Sequence, residues 1–162
     1  MKYFSDRIST PQLTDDEQIK KPLLRRGSSE PAVVELQKLL LHWETYFGLP
    51  DGVFDRKVEL AIKAFQHRVF LKEDGIVGAL TWQALYTGIP VHMPILRLGS
   101  QGKPVVTLQT VLRGVGFFHE AINGQFDPCT DAAVRAFQKR YGLVSDGIVD
   151  AYTWLALSKV PH

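Results

Sequence analysis

The chain of 162 residues has one cysteine, two methionines and a formal charge of only +2. A single thiol, Cys129, excludes an internal disulfide. The near balance of charge, with basic residues scattered among acidic ones, argues against a nucleic-acid surface. The opening stretch MKYFSDRISTPQLTDDEQIKK lacks the apolar run that a signal peptide or a membrane span requires, so no export signal and no membrane span are expected from it. His42, His67, His92, His119 and His162 show neither HExxH nor paired Cys/His spacing, so no metal site and no cofactor are expected. Cys129 stands at a helix start, where a thiolate is favoured, but its counterpart 72 residues earlier is Lys57, and no catalytic residue is assigned.

What the chain does have is a repeat. Shifting the sequence by 72 places Leu24, Arg25, Gly27 and Ser28 on Leu96, Arg97, Gly99 and Ser100. In the same register Ala61, Ala64, Phe65 and Gln66 fall on Ala133, Ala136, Phe137 and Gln138, and Asp74, Gly75, Thr81 and Trp82 on Asp146, Gly147, Thr153 and Trp154. About 27 of 62 positions from Leu24 to Leu85 are identical without a gap, which makes each unit one fold. Residues 1–22 are polar, fall outside the repeat and read as a tail or extended arm. The units span 23–88 and 95–160, joined by TGIPVHMP, whose prolines end a helix and make a short extended connector.

Within the first unit, Val33, Leu36, Gln37 and Leu40 lie at i, i+3, i+4 and i+7, which predicts a helix over Pro31–His42 with one amide in an apolar stripe. Val58, Ala61, Ile62, Phe65 and Val69 predict a second over Arg56–Val69. A short third helix is expected over Thr81–Leu85, with Thr81 near its start as a cap. The second unit repeats the plan over Lys103–Val115, Thr130–Tyr141 and Thr153–Ser158. The fold class is therefore all-α, two tandem units of three helices. Each core is small, so the units are expected to stabilise each other, with Tyr46, Phe47, Phe117 or Phe118 buried between them.

The order Leu-Arg-x-Gly-Ser, Val-x-x-Leu-Gln, Asn/Asp-Gly-x-Phe, Ala-Val-x-x-Phe-Gln, Asp-Gly-x-Val and Thr-Trp resembles the bacterial peptidoglycan-binding domain-like family, and the resemblance covers both units. It implies three-helix-bundle modules that hold cell-wall hydrolases on peptidoglycan without cutting it. By the same resemblance the partners are peptidoglycan and a cell-wall hydrolase, and the location is the bacterial cell envelope. The sequence departs from the family pattern at Asp55, Asp127 and Val58, and has Asp150 where the first unit keeps Gly78. A carboxylate in a loop that meets an anionic stem peptide repels it, which favours the first unit as the binder.

Candidate binding residues are Arg25, Ser28, Asp51, Gln66 and Asp74, with Arg97, Ser100, Asn123, Gln138 and Asp146 in the second unit. Arginine forks beside the amides of a Gly-Ser turn suit a carboxylate. The glutamines either tie a helix to a loop or donate to ligand, and Asp74 and Asp146 either fix their turns or meet ligand. The alternative to a cell-wall binder is a protein-interaction scaffold that keeps the fold and has lost the glycan site.

Overall fold

The computed structural model describes residues 21–162, so the expected tail lies outside the described residues except for Lys21 and Pro22. The first module contains α1 (Ala32–His42), α2 (Arg56–Arg68) and α3 (Ala79–Thr87). The second contains α4 (Lys103–Gly114), α5 (Pro128–Arg140) and α6 (Ala151–Lys159). The protein is all-α, two tandem three-helix modules, and its only extended pairings among the described residues are isolated antiparallel bridges such as Leu24–Val77 and Leu96–Val149.

Each module has its own core. In the first, Val33, Leu36 and Leu40 of α1 meet Val58, Ile62 and Phe65 of α2 and Trp82 and Leu85 of α3. The matching residues of the second, Val105, Leu108, Leu112, Val134, Phe137, Trp154 and Leu157, do the same. The predicted apolar faces are thus the buried ones, because 3.6 residues per turn gathers them on one side.

Helix starts explain the departures from the family pattern. Asp55 and Asp127 are N-caps, whose side chains accept from Val58 N at 3.1 Å and Thr130 N at 2.9 Å. The third helix of each module begins two residues before the expected threonine. Its cap is Gly78 in one module and Asp150 in the other, where the Asp150 carboxylate accepts from Thr153 N at 3.1 Å. A carboxylate at that position complements the free amides of the first turn.

The modules touch through residues other than the four aromatics expected. Tyr46 and Phe118 are buried in their own cores, Phe117 packs on Phe137 within its module, and Phe47 is 84% exposed. The contact is made instead by the end of α2. Phe70 packs edge-on against Trp154 at 5.4 Å and stacks on His162 at 4.9 Å, and His67 also stacks on His162 at 4.9 Å. Phe70 has φ 63°, in the left-handed region, at the position where the second module has Gly142 at φ 74°. Both close the preceding helix by the same backbone pattern, Leu71 N to Gln66 O and Leu143 N to Gln138 O, each 2.8 Å. A side chain at such a position costs about 1–2 kcal/mol, and Glu44, at φ 60° opposite Gly116 at φ 86°, shows the same exchange at the end of α1.

Candidate functional site

Four buried glutamines organise the loops on which the candidate residues sit. Gln66, on α2, donates its amide to Asp74 Oδ1 at 3.0 Å, Ile76 O at 3.1 Å and Thr81 Oγ1 at 3.2 Å, and accepts from Gly75 N at 3.0 Å. Gln138 does the same with Asp146, Ile148, Thr153 and Gly147. Both side chains are 1% exposed and fully engaged, so they hold the Asp-Gly turns from behind.

The sequence did not single out Gln37 and Gln109, yet they serve the other turn of each module in the same way. Gln37 donates to Asp51 Oδ1 at 3.0 Å and Val53 O at 3.3 Å and accepts from Gly52 N at 2.8 Å. Gln109 donates to Asn123 Oδ1 at 3.2 Å and Gln125 O at 3.0 Å and accepts from Gly124 N at 2.9 Å. An amide alone in an apolar stripe was the available signal, because a buried amide needs partners. Its third acceptor differs between modules. In the second it is the Thr130 hydroxyl at 2.9 Å; in the first, where Val58 replaces that threonine, it is the Tyr46 hydroxyl at 3.4 Å, at the position of Phe118. No buried side-chain nitrogen or oxygen among the described residues is left without a partner.

These bonds set the charge of the loops. The Gln37 amide, then the Val53 N–H, hold the Asp51 carboxyl below its ordinary value. The Ile148 N–H, with help from Gln138, does so for Asp146. Both carboxylates are ionised at neutral pH and face solvent.

The Gly-Ser turns are less open to ligand than their sequence suggests. Ser28 Oγ accepts from Arg25 N at 3.1 Å, Ser28 N donates to Arg25 O at 2.9 Å, and Gly27 N donates to Phe54 O at 3.0 Å. Ser100, Arg97, Gly99 and Phe126 repeat this pattern. The turn amides are therefore consumed within the fold, while the side chains of Arg25 and Arg97 stand exposed.

Two concave surfaces lie on the second module. One, of about 200 Å³, runs beside the start of α6 and is lined by Gln138, Gly142, Leu143, Val144, Asp146, Asp150, Tyr152 and Thr153. Val144 is 77% and Tyr152 62% exposed, so an apolar rim faces a floor of ordered polar groups. The other, about 270 Å³, lies among Phe117, Phe118, His119, Glu120, Cys129 and the alanines of α5. The structure brings Gln138 and Asp146 into the first groove, and leaves Arg97, Ser100 and Asn123 out of it. Among the described residues no three His, Cys, Asp or Glu side chains form a cluster fit to hold a metal ion.

A family model described as "Putative peptidoglycan binding domain" matches the chain twice, over residues 29–85 and 101–157. The chain belongs to this peptidoglycan-binding family. Both matches cover the modules built above, and the Gln-held Asp-Gly turns fall inside them. Among similar proteins is the N-acetylmuramoyl-L-alanine amidase CwlM of Mycobacterium tuberculosis, 34% identical over 159 residues, which takes in 83% of this chain and 37% of that protein. The amidase CwlL of Bacillus licheniformis is 30% identical, over 81% of this chain and 44% of its own length. The chain thus spans less than half of these relatives. A crystal structure of the SleB N-terminal domain aligns at 34% identity with a TM-score of 0.41, over 41% of this chain and 92% of that one. No helix of the described residues is long and apolar enough to cross a membrane.

Proposed function

We propose that the chain binds bacterial cell-wall peptidoglycan without cutting it, and serves as the targeting part of a cell-wall-active assembly in the envelope. The observation that carries this is the groove beside α6 in a chain whose two modules both match the peptidoglycan-binding family. Leu143, Val144 and Tyr152 offer apolar contact to a sugar ring or an alanyl methyl. Asp146 offers a carboxylate to the amide or ammonium groups of a stem peptide. Asp150 caps α6 through Thr153 N, and with Asp146 it lines a groove that suits the amide and ammonium groups of a stem peptide rather than its carboxylates. Similarity to amidases supports a link to a cell-wall hydrolase.

The groove and the Gly-Ser arginines make different predictions. Tyr152→Ala removes an exposed aromatic contact worth about 1–2 kcal/mol, so binding to purified sacculi should weaken about five- to thirty-fold with the fold unchanged. Arg25→Ala with Arg97→Ala should have a smaller effect, because the turn amides beside them are already bonded. Co-sedimentation of both variants with sacculi decides. Full binding by Tyr152→Ala with loss in the double arginine variant would move the site to the Gly-Ser turns.

A further inference from the structure

The two modules anchor their tryptophans alike and cover them differently. Trp82 and Trp154 each donate Nε1–H to a proline carbonyl, Pro22 and Pro94, at 2.8 Å. In the first module Tyr86, from the same helix, stacks on Trp82 at 6.0 Å, and the Lys21 ammonium lies 5.4 Å from the ring. Tyr86 is itself fixed by donating its hydroxyl to Glu35. In the second module the residue matching Tyr86 is Ser158, too small to reach the ring. The aromatic that meets Trp154 is Phe70 of the first module, and Phe70 occupies the position of Gly142.

We propose that Phe70 is a key and that the Trp154 face left open by Ser158 is its socket, so that the modules dock head to tail in one order only. In the first module Tyr86 fills the matching socket, and in the second Gly142 stands where Phe70 supplies the key. The partner this socket fits is an aromatic side chain carried on the left-handed helix terminus of a like module.

The placement of Phe70 supports the key, since the sister module has glycine, with no side chain to offer, at the same left-handed position. Phe70 is partly buried against the second core, together with Met93 from the connector. Met93 stands at the place of Lys21, so an apolar side chain replaces an ammonium where the socket is open to an aromatic. The differences at positions 70, 86 and 21 relative to 142, 158 and 93 therefore act in one sense. Those at 86 and 21 close the first socket where their counterparts open the second, and that at 70 supplies the key.

Phe70→Gly separates this account from a plain surface residue. Loss of strain alone raises the melting temperature of the first module and leaves the second unchanged. Loss of a key lowers the melting temperature of the second module and lets the two tumble independently in 15N relaxation. Ser158→Tyr closes the socket without touching the first module and should uncouple them in the same way. The converse double variant, Tyr86→Ser with Gly142→Phe, places a socket at one end and a key at the other. It should self-associate end to end at about 1 mM, the scale of the effective concentration that a short connector provides, while each single variant stays monomeric. Joint tumbling of both Phe70→Gly and Ser158→Tyr, as in the parent, overturns the key and socket. A monomeric Tyr86→Ser/Gly142→Phe protein at that concentration overturns the roles of Tyr86 as the plug of the first socket and of an aromatic at this helix end as the key. None of these readouts involves peptidoglycan, so they stand or fall apart from the proposed function.

Discussion

A hydroxyl has changed places between the modules: it comes from Tyr46 in the first and from Thr130 in the second, and in each it meets a buried glutamine amide. Tyr46→Phe should cost about 1 kcal/mol, since Gln37 then keeps Asp51 and Val53 but loses its third acceptor, and Leu49 O loses the hydroxyl that donates to it at 3.1 Å. Adding Val58→Thr, which supplies a hydroxyl where Thr130 has one, should return part of that loss in thermal denaturation. Equal melting of Tyr46→Phe and parent would show the hydroxyl to be idle. The sequence showed that Gln66 and Gln138 either tie a loop or meet ligand, and burial at 1% exposure shows that they tie. It did not show the role of Gln37, because the partner loop lies 14 residues away and the compensating exchange at 46 and 58 leaves no mark on helical periodicity. The groove side chains Val144 and Tyr152 were equally silent, as an exposed apolar residue has no period of its own.

At the scale of elements, α1, α2, α4 and α5 were legible because each has a distinct apolar face. The starts of α3 and α6 were not, since both are short and apolar over much of their circumference, and their caps lie three residues before the threonine that resembles one. The end of α2 was legible as far as Val69, which is buried as expected, whereas Phe70 opposite Gly142 lies one residue past the apolar face and carried no reading. The same end carries a titratable contact. His67 places Nδ1 2.8 Å from Glu73 Oε2 and Nε2 2.7 Å from the main-chain oxygen of His162, and only the imidazolium donates to both. The Glu73 hydrogen bond, then that of His162, raises the His67 pKa above its ordinary value of 6.5. A raised folded value means that the stabilisation is complete below about pH 6.5 and is lost as pH climbs through the folded value. The pair is about half exposed, so the effect is small. Coupling of the two modules in melting should therefore weaken as pH rises above about 6.5. In His67→Gln this slope should vanish, and a slope that survives would place the titration elsewhere.

For the whole molecule, two small cores are joined by a small aromatic contact around Phe70 and by a short connector. Cut near Val91, each half should fold and melt below the intact chain, the second half losing more because Phe70 covers its tryptophan. Halves as stable as the whole would deny the shared contact. The central claim is that this two-module body holds peptidoglycan and leaves it intact. Its most direct test is incubation of the pure protein with purified sacculi, followed by sedimentation and by the turbidity of the suspension. The account predicts saturable co-sedimentation at constant turbidity; a protein that stays in the supernatant, or one that clears the suspension in a manner abolished by a point change, would contradict it.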